Sequence, residues 1–146
     1  MNKLVIAFGL SMIPFLACST NACECVIHGD GSPRTESHHS KLVFVGEVTN
    51  IREVTQYELH QGYLSHAVTF TVERYWKGIP TNEVTVYAEL AGCPLLSVEK
   101  GQKYLVYAQG RRLRITCTRT RRLDAADEDL KALGEGKEPN FAEPKK

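Results

Sequence analysis

Beyond Ala22 the chain has no long apolar run, so nothing later in the sequence would hold it in a membrane. It has no Cys-x-x-Cys pair, the spacing on which structural zinc sites are built. Its histidines, His28, His38, His39, His60 and His66, fall at no zinc-ligating interval and read as surface residues. Nucleophile motifs, paired-carboxylate signatures and phosphate-cradling loops are all missing. The expectation is therefore a protein that is not an enzyme, with no catalytic residue, no cofactor and no stably bound metal. An excess of either charge is missing too. The net charge is +1, and removing Lys3 with the leader brings it to zero. That argues against nucleic acid or a membrane surface as partner. No internal repeat is visible.

What is there begins with a leader. Lys3 makes a short positive start, residues 4 to 17 are almost wholly apolar, and Ser19, Thr20 and Asn21 lead to Ala22. Thr20 and Ala22 occupy the small-residue positions before a cleavage site, so residues 1 to 22 read as a signal peptide. The apolar run is shorter than the roughly 20 residues a membrane span needs. Two rivals stand beside cleavage at Ala22. One is an uncleaved anchor. The other is lipidation at Cys18, because Leu16-Ala17-Cys18 ends like a lipobox, although Pro14 and Phe15 fit that pattern poorly. The expected location is secreted or periplasmic, with a membrane-anchored lipoprotein as the alternative.

Cleavage after Ala22 leaves Cys23, Cys25, Cys93 and Cys117, an even set suited to an oxidising compartment. Four cysteines allow three pairings. Cys23 with Cys25 would close a tiny strained ring and is discounted. Both other pairings tie the N-terminus to distant segments, each long loop contributing at most about 4 kcal/mol in the loop-entropy view.

The remainder reads as strands with one late helix. Residues 28 to 40 form a polar loop with room for a short helix. Strands are expected over 42–51, 67–75, 83–90, 103–108 and 113–118, with a turn at 77–82. Val68, Phe70 and Val72 alternate with Thr69, Thr71 and Glu73; Val84 and Val86 repeat the pattern. Residues 52 to 66 extend the first two strands into a long hairpin turning at Gln61-Gly62. A helix runs from Asp124, its cap, to Leu133, and Gly134 stops it. The domain thus spans 23–134, followed by a disordered polar tail over 135–146. Five strands and a helix in this length fit a mainly β, five-stranded OB-fold barrel.

Cys23-Glu24-Cys25 at the mature start, followed by a polar segment and Leu42-Val43-Phe44-Val45-Gly46-Glu47-Val48, resembles the netrin-like (NTR) module of the tissue inhibitors of metalloproteinases (TIMPs). Residues 68–78, reading VTFTVERYWKG, look like the second strand and turn of bacterial TIMP-like proteins. Residues 101–108 and Cys117-Thr118-Arg119-Thr120 continue the likeness, which covers residues 23 to about 133. The resemblance implies an OB barrel with a C-terminal helix and two disulfides, Cys23–Cys93 and Cys25–Cys117. It also implies an N-terminal segment strapped across the barrel. Three features depart from the family pattern. The cysteines for the third disulfide of TIMP inhibitory domains are missing, Glu24 stands where a small or hydroxyl residue is usual, and the expected domain is not followed by the separate C-terminal domain of the animal proteins.

In inhibitors of this family the terminal amine and carbonyl of the first cysteine chelate the protease's catalytic zinc. The resemblance therefore assigns Cys23 as the zinc-chelating residue and a zinc metalloprotease as the partner. The chelate closes a five-membered ring and displaces the water that would attack substrate. An α-amino pKa near about 7.7 to 8 makes the required deprotonation easy at neutral pH. Glu24 would enter the specificity pocket, where a carboxylate meets an apolar wall at a cost of several kcal/mol unless it is paired. The competing reading makes Cys-x-Cys a structural staple only.

Further along, Arg111, Arg112, Arg114, Arg119, Arg121 and Arg122 form a basic stretch, closely followed by Asp124, Asp127, Glu128 and Asp129. On a fifth strand Arg112, Arg114 and Arg122 would share a face with Thr116, Thr118 and Thr120. A solvated, locally paired face is the plain expectation. An anionic glycan or lipid head group is the functional alternative, in a non-inhibitory envelope module that binds a protein or glycan through its barrel. Tyr57, Tyr63, Tyr75, Trp76, Tyr104 and Tyr107 read as core or strand-face residues.

Overall fold

The structure, a computed structural model, describes residues 25–26, 29–78, 81–90 and 96–139. The polar N-terminal segment does hold a short helix, α1, Pro33–His39. Ser32 caps it by accepting from the Thr35 amide, and Pro33 opens it where no N–H is needed. At its far end Lys77 Nζ donates to the carbonyls of Ser37 and His38 at 2.8 and 2.7 Å. The chain then enters β1, Ser40–Glu53, the longest strand. Next come α2, Gln56–His60, then β2, His66–Lys77, and β3, Glu83–Ala88. β4 is Lys103–Gln109 and β5 only Arg121–Arg122. A 3₁₀ turn over Leu123–Ala125 leads into α3, Asp127–Leu133.

The five strands form one antiparallel sheet in the order β3-β2-β1-β4-β5. β1 is central: Val43 to Glu47 are paired on both sides, with β2 and with β4. Three register shifts along the β1–β2 ladder bend the sheet. At Gly46, beside one of them, a Cβ would lie 2.7 Å from the Thr71 carbonyl oxygen. Only glycine lets the two strands approach this closely there.

The bend gives the sheet two different faces. The inner one buries Phe44, Val48, Val68, Phe70, Val84, Val86, Tyr104 and Val106 together. Phe70 meets Phe44 and Tyr104 edge-on, with ring centroids at 5.6 and 6.2 Å, the arrangement aromatic quadrupoles favour. The outer face buries Val43, Val45, Leu105 and Tyr107 beneath Ala126, Leu130 and Leu133. β4 is thus buried on both faces, which is why residues 104–108 form a continuous run rather than alternating.

Several expectations need correction. Residues 113–118 are not a strand. Leu113 and Cys117 have φ of 48° and 60°, left-handed values that break an extended chain. Instead Leu113–Ile115 bonds on two sides. Tyr87 of β3 donates to the Leu113 carbonyl at 3.0 Å and accepts from the Ile115 amide at 2.9 Å, while Arg114 exchanges both backbone bonds with Gln109 of β4. These are isolated bridges, so the sheet is not closed by a ladder. The observed fold is a mainly β structure with a five-stranded antiparallel sheet and a C-terminal helix.

The expected long hairpin through 52–66 is interrupted by α2, which a reciprocal capping box between Thr55 and Glu58 stabilises. Asp124 does not cap the late helix. It sits in the 3₁₀ turn, and α3 starts at Asp127 after Ala126. Gly134 does end α3, with φ of 72°, and its carbonyl accepts from Trp76 Nε1 at 2.8 Å. The polar stretch from Glu135 does not begin as free chain, because Lys137 exchanges two backbone bonds with Tyr75 at 2.7 and 2.8 Å. Residues 140–146 lie outside the described residues.

Candidate functional site

Cys25 is bonded to Cys117, with Cα atoms 5.3 Å apart and a sequence separation of 92. This is one of the two bridges the family resemblance implied. Cys18, Cys23, Glu24 and Cys93 lie outside the described residues, so the Cys23–Cys93 bridge, the chelating terminus and the lipidation alternative do too.

Local bonding explains how Cys117 reaches the N-terminal segment. After Ile115 the chain turns tightly: Thr118 Oγ1 donates to the Ile115 carbonyl at 2.8 Å and lies 3.2 Å from the Thr120 amide, which donates to it. The turn carries Cys117 outward with its left-handed φ. Thr120 then returns the chain to β4. Its hydroxyl accepts from the Tyr107 amide at 2.9 Å and donates to the Tyr107 carbonyl, replacing a backbone ladder step with a side chain.

Beside the disulfide lies a cavity of about 260 Å³, bordered by Cys25, Gly31, Glu36, Ile115, Cys117 and Arg119. Its charged walls are already satisfied. Buried Glu36 accepts from Gln109 Nε2 at 2.6 Å. Arg119 donates to the Gly31 carbonyl at 2.7 Å through one terminal nitrogen. Through Nε and the other terminal nitrogen it grips Asp129 of α3 at 2.7 and 3.0 Å. Asp129 is fully buried and also accepts from the Tyr107 hydroxyl at 2.8 Å. Burial opposes its charge, but the bonds from Arg119 and Tyr107 and the nearby Arg121 outweigh that and hold its pKa below the usual range. Burial, followed by the bond to Asp129, pushes the Tyr107 phenol well up. The Asp129 bond raises Arg119. The seat of Cys25 is therefore stiff and charge-neutralised. It offers a fixed support rather than a reactive group.

The arginine stretch does not form one face. Arg119, Arg121 and Arg122 are paired: Arg121 lies 3.5 Å from Asp129, and Arg122 lies 3.2 Å from Asp124. Arg111, Arg112 and Arg114 make no carboxylate contact among the described residues, and Arg112 instead covers the Tyr63 ring at 5.4 Å. Tyr104 and Tyr107 are core residues as expected, but Tyr57 is 72% exposed. Sequence reasoning missed Asp129 because it sits in an acidic run that reads as solvated. The signal was its spacing, since Ala126, Leu130 and Leu133 share its helical face. Among the described residues no group of histidine, cysteine and carboxylate side chains converges to hold a metal, and no helix is long and apolar enough to cross a membrane.

No protein-family model matches this chain, and no curated protein matches it.

Proposed function

We propose that the chain is an exported, TIMP-like protein-binding module that inhibits a zinc metalloendopeptidase by presenting Cys23 to the catalytic zinc. The observation carrying this reading is the Cys25–Cys117 bridge. It fixes the backbone two residues from the proposed chelating amine, on a support stiffened by Arg119 and Asp129. A terminus fixed in advance loses little freedom on binding, so more of the zinc–amine interaction appears as affinity. The amine and carbonyl of Cys23 would take the positions of the attacking water, and the protease would stall without being cleaved or chemically modified.

The reading includes an OB-type barrel. It is supported by the central, doubly paired β1 and by the bonds through which residues 113–115 reach both Tyr87 and Gln109. Those isolated bonds link β3 and β4 through residues 113–115, on the side where a barrel of this type would close.

The test is N-terminal sequencing and intact mass of the protein recovered from its native host, followed by inhibition assays on a panel of zinc endopeptidases. A chain beginning at a free Cys23 and blocking at least one of them is the expected result. Lipid on Cys18 would leave Cys23 inside the chain, without a free amine, and would turn the reading toward a non-inhibitory envelope lipoprotein.

A further inference from the structure

A second groove shares no residue with the cavity beside the disulfide. It has a volume of about 340 Å³ and is bordered by Tyr57, Gln61, Tyr63, Arg111 and Arg112. Two separate pieces of chain make it: α2 with the turn that follows, and the turn between Gln109 and Arg114. Both pieces are held firmly. The Thr55–Glu58 capping box closes α2, and Arg52 grips the Glu58 carboxylate with two bonds of 2.9 and 2.7 Å. Those bonds, with the Thr55 amide, lower the Glu58 pKa to about 2, so this nearby acid is engaged and ionised. Tyr63 leans on Tyr87 with centroids 4.4 Å apart, and the Arg112 guanidinium lies over the Tyr63 ring at 5.4 Å from its centroid. At Gly62, φ is 77° and a Cβ would already touch the Arg112 guanidinium at 3.5 Å.

The result is a fixed, polar groove with two guanidinium groups that no carboxylate neutralises among the described residues, and a tyrosine ring 72% exposed at its edge. Elsewhere in the same arginine stretch, residues 119, 121 and 122 are all paired with acids. Planar guanidinium groups suit carboxylate and sulfate oxygens, which they bind through two parallel bonds. An exposed aromatic ring suits the C–H face of a sugar, and the Gln61 amide with the tyrosine hydroxyls suits sugar hydroxyls. We infer that this groove binds an acidic polysaccharide segment, with a sugar ring on Tyr57 and its carboxylate or sulfate on Arg111 and Arg112. The site is independent of the inhibitor reading, because none of its parts involves Cys23.

The test is direct binding of the full mature chain to four probes at low salt: an oligogalacturonate, a heparin-derived octasaccharide, neutral maltooctaose, and vesicles rich in phosphatidylglycerol. Binding of either acidic oligosaccharide, at least tenfold tighter than maltooctaose, is expected, and the pair tells carboxylate from sulfate. The Arg111→Ala, Arg112→Ala double variant should lose at least tenfold, and Tyr57→Ala several-fold, while Arg122→Ala should bind as wild type. Should the double variant unfold, Arg111→Ala alone, which removes an exposed side chain, must still weaken binding. Undiminished binding by the groove variants, equal loss with Arg122→Ala, no preference over maltooctaose, or binding to vesicles alone would each overturn the inference. Protease inhibition should be unchanged in all these variants, which separates this site from the one at Cys23.

Discussion

Arg119 Nε donates to Asp129 Oδ1 at 2.7 Å, and the carboxylate that receives it has no solvent exposure. This pair joins three parts of the molecule. Asp129 belongs to α3, Arg119 follows the turn that carries Cys117, and the other end of the guanidinium holds the Gly31 carbonyl ahead of α1. Tyr107 completes the set from the middle of β4. Removing the arginine would leave the buried carboxylate with only Arg121 at 3.5 Å and the Tyr107 hydroxyl, which is worse than removing both partners. Arg119→Met should therefore lower stability by about 3–5 kcal/mol in urea denaturation. The double change Arg119→Met with Asp129→Leu should recover much of that. A loss below about 1 kcal/mol for the single change would show that the pair does not hold α3 to the sheet.

Acid should weaken this pair together with two carboxylates elsewhere in the fold. Asp129, Asp30 and Glu58 all titrate below their ordinary range in the folded chain. Asp30 is held at about 2 by the Thr35 side chain and the Ser32 amide, and Glu58 at about 2 by Arg52 and the Thr55 amide. A carboxyl depressed on folding contributes its stabilisation fully above its unfolded pKa, near about 4, and loses it as pH falls through the folded value. The denaturation midpoint should thus be level near pH 6 and decline from about pH 5 toward pH 2. Asp129→Asn should be less stable at pH 6 and show a shallower decline. A wild-type midpoint that rises on acidification would contradict the assignment.

Much of this fold was legible in the sequence, and the misreadings have physical causes. β2 and β3 alternate because one face of each is buried, and Val68, Phe70, Val72, Val84 and Val86 are the residues that face inward. The expected strand at 113–118 failed because backbone conformation, not side-chain pattern, decides there: Leu113 and Cys117 are left-handed. α2 was overlooked although Thr55-Gln56-Tyr57-Glu58 carries the spacing of a capping box, a signal that β-rich neighbours outweighed. The arginines could not be sorted from composition. Which of them meets an acid depends on α3 folding back over β4, a contact between distant parts of the chain.

The Cys25–Cys117 bridge is predicted to serve both stability and function. Replacing both cysteines with serine should cost about 2–5 kcal/mol, measured by guanidinium denaturation. It should also weaken protease inhibition even under conditions where the variant remains folded, because the terminus loses its anchor. Inhibition retained at full strength in the folded variant would separate the bridge from the binding function.

Glu24 offers a sharper test of the inhibitor reading. If its side chain enters an apolar pocket of the protease, Glu24→Thr relieves a buried carboxylate. Inhibition should then tighten at least tenfold, a change of about 1.4 kcal/mol. Equal inhibition by the two proteins would mean that this side chain does not enter such a pocket.

The most direct measurement compares two chains that differ by a single residue at the start. One begins at Cys23, and the other carries one added alanine before it. Both are assayed against the metalloendopeptidase that the first inhibits best. The added residue converts the chelating amine into an amide, which can no longer donate an electron pair to zinc, while leaving the cysteines and the domain intact. Loss of inhibition by at least a hundredfold, with an unchanged denaturation midpoint, is the predicted result. Equal inhibition by the extended chain would contradict zinc chelation by Cys23.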